Sequence, residues 1–232
     1  MARLLSCIAA TAFLCSCVTP PCGDSVTRGY AINMAYQYTN LEWKATEANA
    51  LHGADPDNQW VDTPDAAASD KLGSAMWWKP GINRGMPYKW GGFDTPEEFL
   101  QRMEQETPVY AGDYASDAKV EGGDDAVSRY AAGIDCSGLV SRCWRLSRPF
   151  STRELGSLCV QLRDFSELKP GDIALKPGVH VILFEAWANK DHSVFYAIEA
   201  GGVPHWKCYR YLISIDTLNR LGYTPHRYKN IR

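Results

Sequence analysis

The chain is short of the features that mark several large functional classes. It has no polybasic run, and its net charge is only −3 over 232 residues. The electrostatic footprint of a nucleic-acid binder is therefore missing. None of its eight cysteines forms a C-x-x-C pair, so the usual spacing of a structural zinc site is missing too. Gly53-Ala54-Asp55-Pro56-Asp57-Asn58 is acidic, but no twelve-residue loop ending in Glu follows it. It reads as a turn rather than a calcium loop. There are no internal repeats and no low-complexity tracts. The one long apolar run, Leu4 to Leu14, is too short to cross a bilayer comfortably.

That run follows the positive start Met1-Ala2-Arg3 and reads as the hydrophobic part of a signal peptide over 1–16. Leu14-Cys15-Ser16-Cys17 then has the form of a bacterial lipobox, with Cys17 as lipid acceptor and 17–24 as a tether. Ordinary signal cleavage nearby is the alternative. The expectation is a periplasmic or otherwise extracytoplasmic lipoprotein that touches the membrane only through its N-terminal lipid. Cys22, Cys136, Cys143, Cys159 and Cys208 remain. In an oxidising compartment Cys159 and Cys208 are a candidate bridge, although sequence does not fix connectivity.

The rest divides into an N-terminal helical region over 25–84 and a larger unit over 85–232. Val26 to Asn49 reads as one amphipathic helix with a heavy aromatic load. Thr95 as N-cap, Pro96 at the first helical position and acids in the first turn predict a short helix ending by Glu106. Val109 to Ala132, rich in Gly, Asp, Ala and Ser, reads as an irregular excursion. Ser151 and Glu154 have capping-box spacing. A Pro170-Gly171 turn leads into a strand at Ile173. Further strands are expected at Val179–Phe184, Val194–Ala200 and Trp206–Ile213. A helix at Ile215–Leu221 and an edge strand at Tyr223–Tyr228 follow. Helices first, then consecutive strands with tight connections, predict an α+β fold.

The chemistry gathers around Gly133-Ile134-Asp135-Cys136-Ser137-Gly138-Leu139-Val140. Asp135 is a good N-cap, which places Cys136 in the first turn of a helix, where the dipole favours a thiolate. Alone, Cys136 fits a buried structural cysteine as well as a nucleophile. A thiol nucleophile needs a base, and His180 is the histidine set inside an apolar strand just after a turn. Glu199 ends the next strand, where a carboxylate beside a histidine can fix its tautomer.

Four stretches in order, Pro87-Tyr88-Lys89-Trp90-Gly91-Gly92, Asp135-Cys136-Ser137-Gly138-Leu139-Val140, Leu168-Lys169-Pro170-Gly171-Asp172-Ile173 and His180-Val181, resemble the NlpC-type cell-wall endopeptidases, a papain-like cysteine peptidase family. The resemblance covers roughly 85–202. It implies a papain-like fold, with an N-terminal helical subdomain packed on a small antiparallel sheet. It implies Cys136 as nucleophile, His180 as base and Glu199 as third polar residue. Tyr88, Asp135 and Ser137 would bind substrate. The implied activity is amide hydrolysis in peptidoglycan stem peptides, with no metal or organic cofactor. Glu199 stands where the family often has His, Asn or Gln, and there are two further departures: the region Gly23 to Gly85 shows no recognisable cell-wall-binding repeat, and the stretch 93–132 between the tyrosine and cysteine motifs is unusually long. That stretch is expected to form a flap or wall beside the cleft, with its deletion altering substrate preference more than stability. The alternatives are a non-catalytic ligand-binding scaffold, or an amidase or acyltransferase acting on other amides or lipids.

Overall fold

The computed structural model describes residues 25–73, 75–202 and 205–232. The signal peptide, Cys17 and the tether lie outside them. The first half of the chain runs α1 (Arg28–Asn40), β1 (Glu42–Ala45), β2 (His52–Ala54), β3 (Trp60–Asp62), α2 (Ser69–Leu72), β4 (Gly81–Arg84) and α3 (Pro96–Met103). Next come β5 (Tyr110–Ala111), α4 (Asp117–Gly122), β6 (Ala131–Ala132), α5 (Cys136–Cys143) and α6 (Thr152–Leu155). The remainder is β7 (Cys159–Gln161), β8 (Ile173–Lys176), β9 (His180–Trp187), β10 (Val194–Gly201), β11 (Lys207–Ser214), α7 (Ile215–Leu221) and β12 (Thr224–Tyr228). The architecture is α+β. Its centre is a six-stranded antiparallel sheet in the order β11-β10-β9-β8-β12-β7, with three two-stranded sheets elsewhere.

One face of the large sheet carries the main core. Val181, Leu183, Ile198 and Ala200 pack there beneath Leu139 and Val140 of α5 and Ala31, Ala35 and Tyr38 of α1. The other face holds Ile182, Phe184, Phe195 and Ala197 against Leu218 of α7. This division follows from strand alternation, since neighbouring residues point to opposite faces. Trp144, just after α5, stacks on Tyr228 with centroids 4.8 Å apart, and its indole N–H donates to the Gly171 carbonyl at 3.0 Å. The Pro170-Gly171 turn is thereby held to the end of the cysteine helix. Asp172, fully buried, completes this junction by accepting from Arg28, Arg227 and the Lys169 N–H.

Several expectations need correction. The helix from Val26 stops at Asn40 rather than Asn49, so only part of the 25–84 region is helical. From Leu41 onward burial alternates, with Trp43 and Ala45 in and Glu42 and Lys44 out, and β1 pairs with β4. A strand period had been read as a helical one. Tyr223–Tyr228 is not an edge: β12 lies between β8 and β7. Cys159 and Cys208 are free thiols on β7 and β11, the two outer strands of the sheet. Five strand spacings, roughly 24 Å, separate those edges, far beyond the ~7 Å Cα limit for a disulfide.

The stretch 93–132 is not a loose excursion. It contains α3, α4 and the parallel pair β5–β6. Phe99, Ala111, Ala131 and Ala132 are fully buried, and Phe99 meets Trp43 edge-on at 5.3 Å. Arg102 clasps the two ends together: it pairs with Asp94 at 2.9 Å and donates to the Arg129 and Ala131 carbonyls, while Asp94 accepts from the Gly133 N–H. Excising 93–132 would open the core, so the expectation that deletion spares stability is withdrawn.

Candidate active site

The Cys136 site is assembled where α5 meets the end of the sheet. Asp135 caps α5, with Oδ1 accepting from the Gly138 N–H at 2.6 Å and from the Ser137 hydroxyl at 2.9 Å. Cys136 is then the first residue of the helix, and first-turn N–H groups have no intrahelical acceptor. The helix can sit this close to the Pro87–Gly92 segment because position 138 is glycine. A Cβ there would collide with the Gly92 carbonyl oxygen, which accepts from the Asp135 N–H.

His180 opens β9 and lies between two groups. Its Nε2 is 2.9 Å from Glu199 Oε2, and the Cys136 side chain lies near enough for its charge to act on the ring. With Nε2 committed to the carboxylate, Nδ1 is the nitrogen left for sulfur. Burial works to lower the imidazole pKa, but the charges of Cys136 and Glu199 outweigh it and hold His180 well above the usual histidine value. Burial would raise the Glu199 pKa. The His180 charge, the His180 hydrogen bond and two tyrosine hydroxyls overcome that and hold the carboxyl below its ordinary range. Those hydroxyls belong to Tyr209, which donates to Oε1 at 2.6 Å, and Tyr211, which donates to Oε2 at 2.9 Å. Burial and then the Glu199 charge push both phenols up, so each remains a proton donor.

Space for the pair is made at Gly201. A Cβ there would come within 2.7 Å of Glu199 Oε1 and 3.2 Å of the His180 ring. Tyr223 closes another side, edge-on to His180 at 6.5 Å. A groove of about 740 Å³ opens beside the pair. Its walls include Ile182, Tyr209, Tyr211, Ile213, Leu221 and Tyr223, with His205 at the rim of the β10–β11 connection. Cys136, Tyr88, Asp135 and Ser137 are not among its walls.

The structure thus brings Cys136 next to the hydrogen-bonded His180–Glu199 pair. Tyr88 packs behind them. Its N–H donates to the Trp206 carbonyl at 2.9 Å, its ring meets Trp206 at 5.1 Å, and burial followed by the nearby Cys136 raises its pKa well above the usual value. Asp135 and Ser137 bond to each other, so part of their polar capacity serves the helix start. Tyr114, from within 93–132, reaches Trp206 at 5.4 Å and forms part of the wall behind Tyr88. Tyr209, Tyr211 and Gly201 escaped the sequence reading. The signal for the tyrosines was their i, i+2 spacing in a strand, which puts both on one face. Their pairing with Glu199 depends on the β10–β11 register, Glu199 opposite Tyr209 and Ala197 opposite Tyr211. Among the described residues, no group of three or more His, Cys, Asp or Glu is placed to hold a metal ion, and no helix is long and apolar enough to cross a membrane.

No family model, curated protein or solved structure matches the chain.

Proposed function

We propose that the protein is a thiol hydrolase that cleaves amide bonds in peptidoglycan stem peptides, on a papain-like arrangement of a cysteine helix against an antiparallel sheet. The observation that carries this reading is the row Cys136–His180–Glu199, with the imidazole held between a sulfur and an ionised carboxylate. A charged His180 beside Cys136 is the setting in which a thiolate is stabilised and attacks a carbonyl. In the forward step the Cys136 sulfur bonds to the amide carbon. The first-turn N–H of Cys136 faces the developing oxyanion, and His180 hands its proton to the departing amine. Water then attacks the thioester. His180 takes a proton from it, and the carboxylic acid leaves as sulfur is freed. Glu199 keeps the imidazole oriented and balances its charge in both steps.

The choice of peptidoglycan follows from the four ordered motifs around Tyr88, Cys136, Asp172 and His180. With them goes the proposal that Cys17 carries the lipid anchor and that the folded body works outside the cytoplasm. One observation favours a second reading: the groove beside His180 is mainly aromatic and aliphatic, which suits an acyl chain and hence an amidase or acyltransferase on lipid amides. Mass spectrometry of products from muropeptides and from N-acyl amides separates the two. Release of free stem-peptide ends by the wild type, lost in Cys136→Ala, supports the first. Turnover of N-acyl amides alone supports the second. Turnover unchanged in Cys136→Ala overturns both.

A further inference from the structure

Glu199 has more hydrogen-bond donors than orienting a histidine requires. Besides His180, it accepts from Tyr209 at 2.6 Å and Tyr211 at 2.9 Å, so both carboxylate oxygens are occupied. The two tyrosines stand two residues apart on one face of β11, with rings stacked at 5.0 Å and 29°. The register sets Tyr209 directly opposite Glu199, while Tyr211 reaches it diagonally from opposite Ala197. Gly201, on the Glu199 side of β10, leaves the volume that lets the carboxylate turn between them.

We infer that Tyr209 and Tyr211 are positioning residues that clamp the Glu199 carboxylate against His180 Nε2. The catalytic consequence rests on the thiol-hydrolase reading; the clamp itself rests only on the geometry. A carboxylate with 6% exposure that kept His180 as its single partner would be driven toward its protonated form by desolvation. It would also be free to rotate in the space beside Gly201. Three donors hold it charged and fixed. The other titratable groups around this assembly are Cys136 from α5, Tyr223 ahead of β12, Lys176, the cross-strand neighbour of His180 on β8, His205, whose ring is 6.3 Å from that of Tyr209, and Lys207 and Arg210 of β11 along the groove. None of them bonds to Glu199.

The test uses Tyr209→Phe, Tyr211→Phe and the double variant, each removing a hydroxyl and keeping the ring stack. Two readouts separate the clamp from the chemistry. In a Cys136→Ala background, the His180 titration followed by NMR on isotope-labelled histidine should move down by about one pH unit in the double variant and by roughly half that in each single. In protein that retains Cys136, alkylation of that thiol by iodoacetamide at pH 6 should slow about tenfold in the double variant. An unmoved His180 midpoint in the double variant, or in both singles if the double does not fold, reduces the tyrosines to groove wall and overturns the inference. A shifted midpoint in a protein that turns over neither muropeptides nor N-acyl amides leaves the clamp standing and removes the hydrolase reading. Turnover with an unmoved midpoint does the reverse.

Discussion

Glu199 and Asp113 are both buried carboxylates facing a cationic partner, yet they settle on opposite sides of the ordinary range. Glu199 lies at the end of the large sheet and is held low. Asp113, inside the 93–132 segment and fully buried, is pushed up to about 6, mainly by burial. Asp113 has a closer ion pair, with Lys119 Nζ only 2.6 Å from Oδ2. That contact and the Asp62 N–H, which Oδ1 accepts at 3.1 Å, both favour the charged form, yet burial outweighs them. Glu199 has three aligned donors on two oxygens. The state of a sealed carboxylate here follows the number of its donors more than the nearness of a charge. The first arrangement keeps a group ionised beside a histidine. The second holds a wall together.

The comparison breaks most visibly at the site. Glu199→Gln keeps the size of the side chain but presents an amide where His180 Nε2 needs an acceptor. Turnover of muropeptides is expected to fall on the order of 10³–10⁴-fold, with little change in melting temperature. A loss under tenfold would make Glu199 an ordinary strand-end acid. In the wall, Lys119→Met leaves Asp113 buried and unpaired, and urea denaturation at pH 8 should show a loss of about 3–5 kcal/mol. The loss should shrink at pH 5, where Asp113 takes up a proton; equal losses at the two pH values would contradict the contrast. Gly201→Ala sits between these cases. Its methyl presses on the Glu199–His180 pair, so roughly 1–3 kcal/mol of stability should go together with activity. Full activity would mean that the pair tolerates a shift.

The smallest effects are the pH slopes, and their signs differ. The folded-state pKa of Asp113, about 6, exceeds its unfolded value near 3.9, so the native chain binds the extra proton between them. Its contribution makes stability fall as pH rises from about 4 to about 6. Glu199 is depressed on folding, so its contribution is present above the unfolded value near 4.3 and fades as pH drops through the lower folded value. Stability measured against pH should lose a downward slope between about pH 4 and 6 in Asp113→Asn and an upward slope below about pH 4.3 in Glu199→Gln. Parallel departures would erase the distinction.

Local signals in the sequence carried much of this. The capping boxes at Thr95–Glu98 and Ser151–Glu154 form as spaced, and Ile215–Leu221 is helical over the expected residues. The placements of Cys136, His180 and Glu199 in the fold were readable because a helix start, a post-turn strand and a strand end each leave a local mark. What escaped was long-range. The insertion of β12 between β8 and β7, the β1–β4 pairing, the tyrosine clamp and the Asp113–Lys119 contact all join residues whose partnership no nearby pattern announces. The helix drawn past Asn40 failed for a related reason: the apolar residues Tyr38, Leu41 and Trp43 satisfy a helical stripe until the pairing of Trp43 with Asn83 turns the end of that run into strand.

The position of β12 has a consequence for synthesis. It is made after every other strand of the large sheet, yet it bridges β8 and β7, and Val26 exchanges hydrogen bonds with Asn230 and Arg232 just beyond it. A ribosome-bound chain that stops short of Thr224 therefore exposes two unpaired strand edges and an unclosed core. Such edges invite pairing with other chains. Folding of this body must wait for its final stretch, so an escort that keeps the chain open until translation has passed Tyr228 would serve it better than one that promotes early collapse.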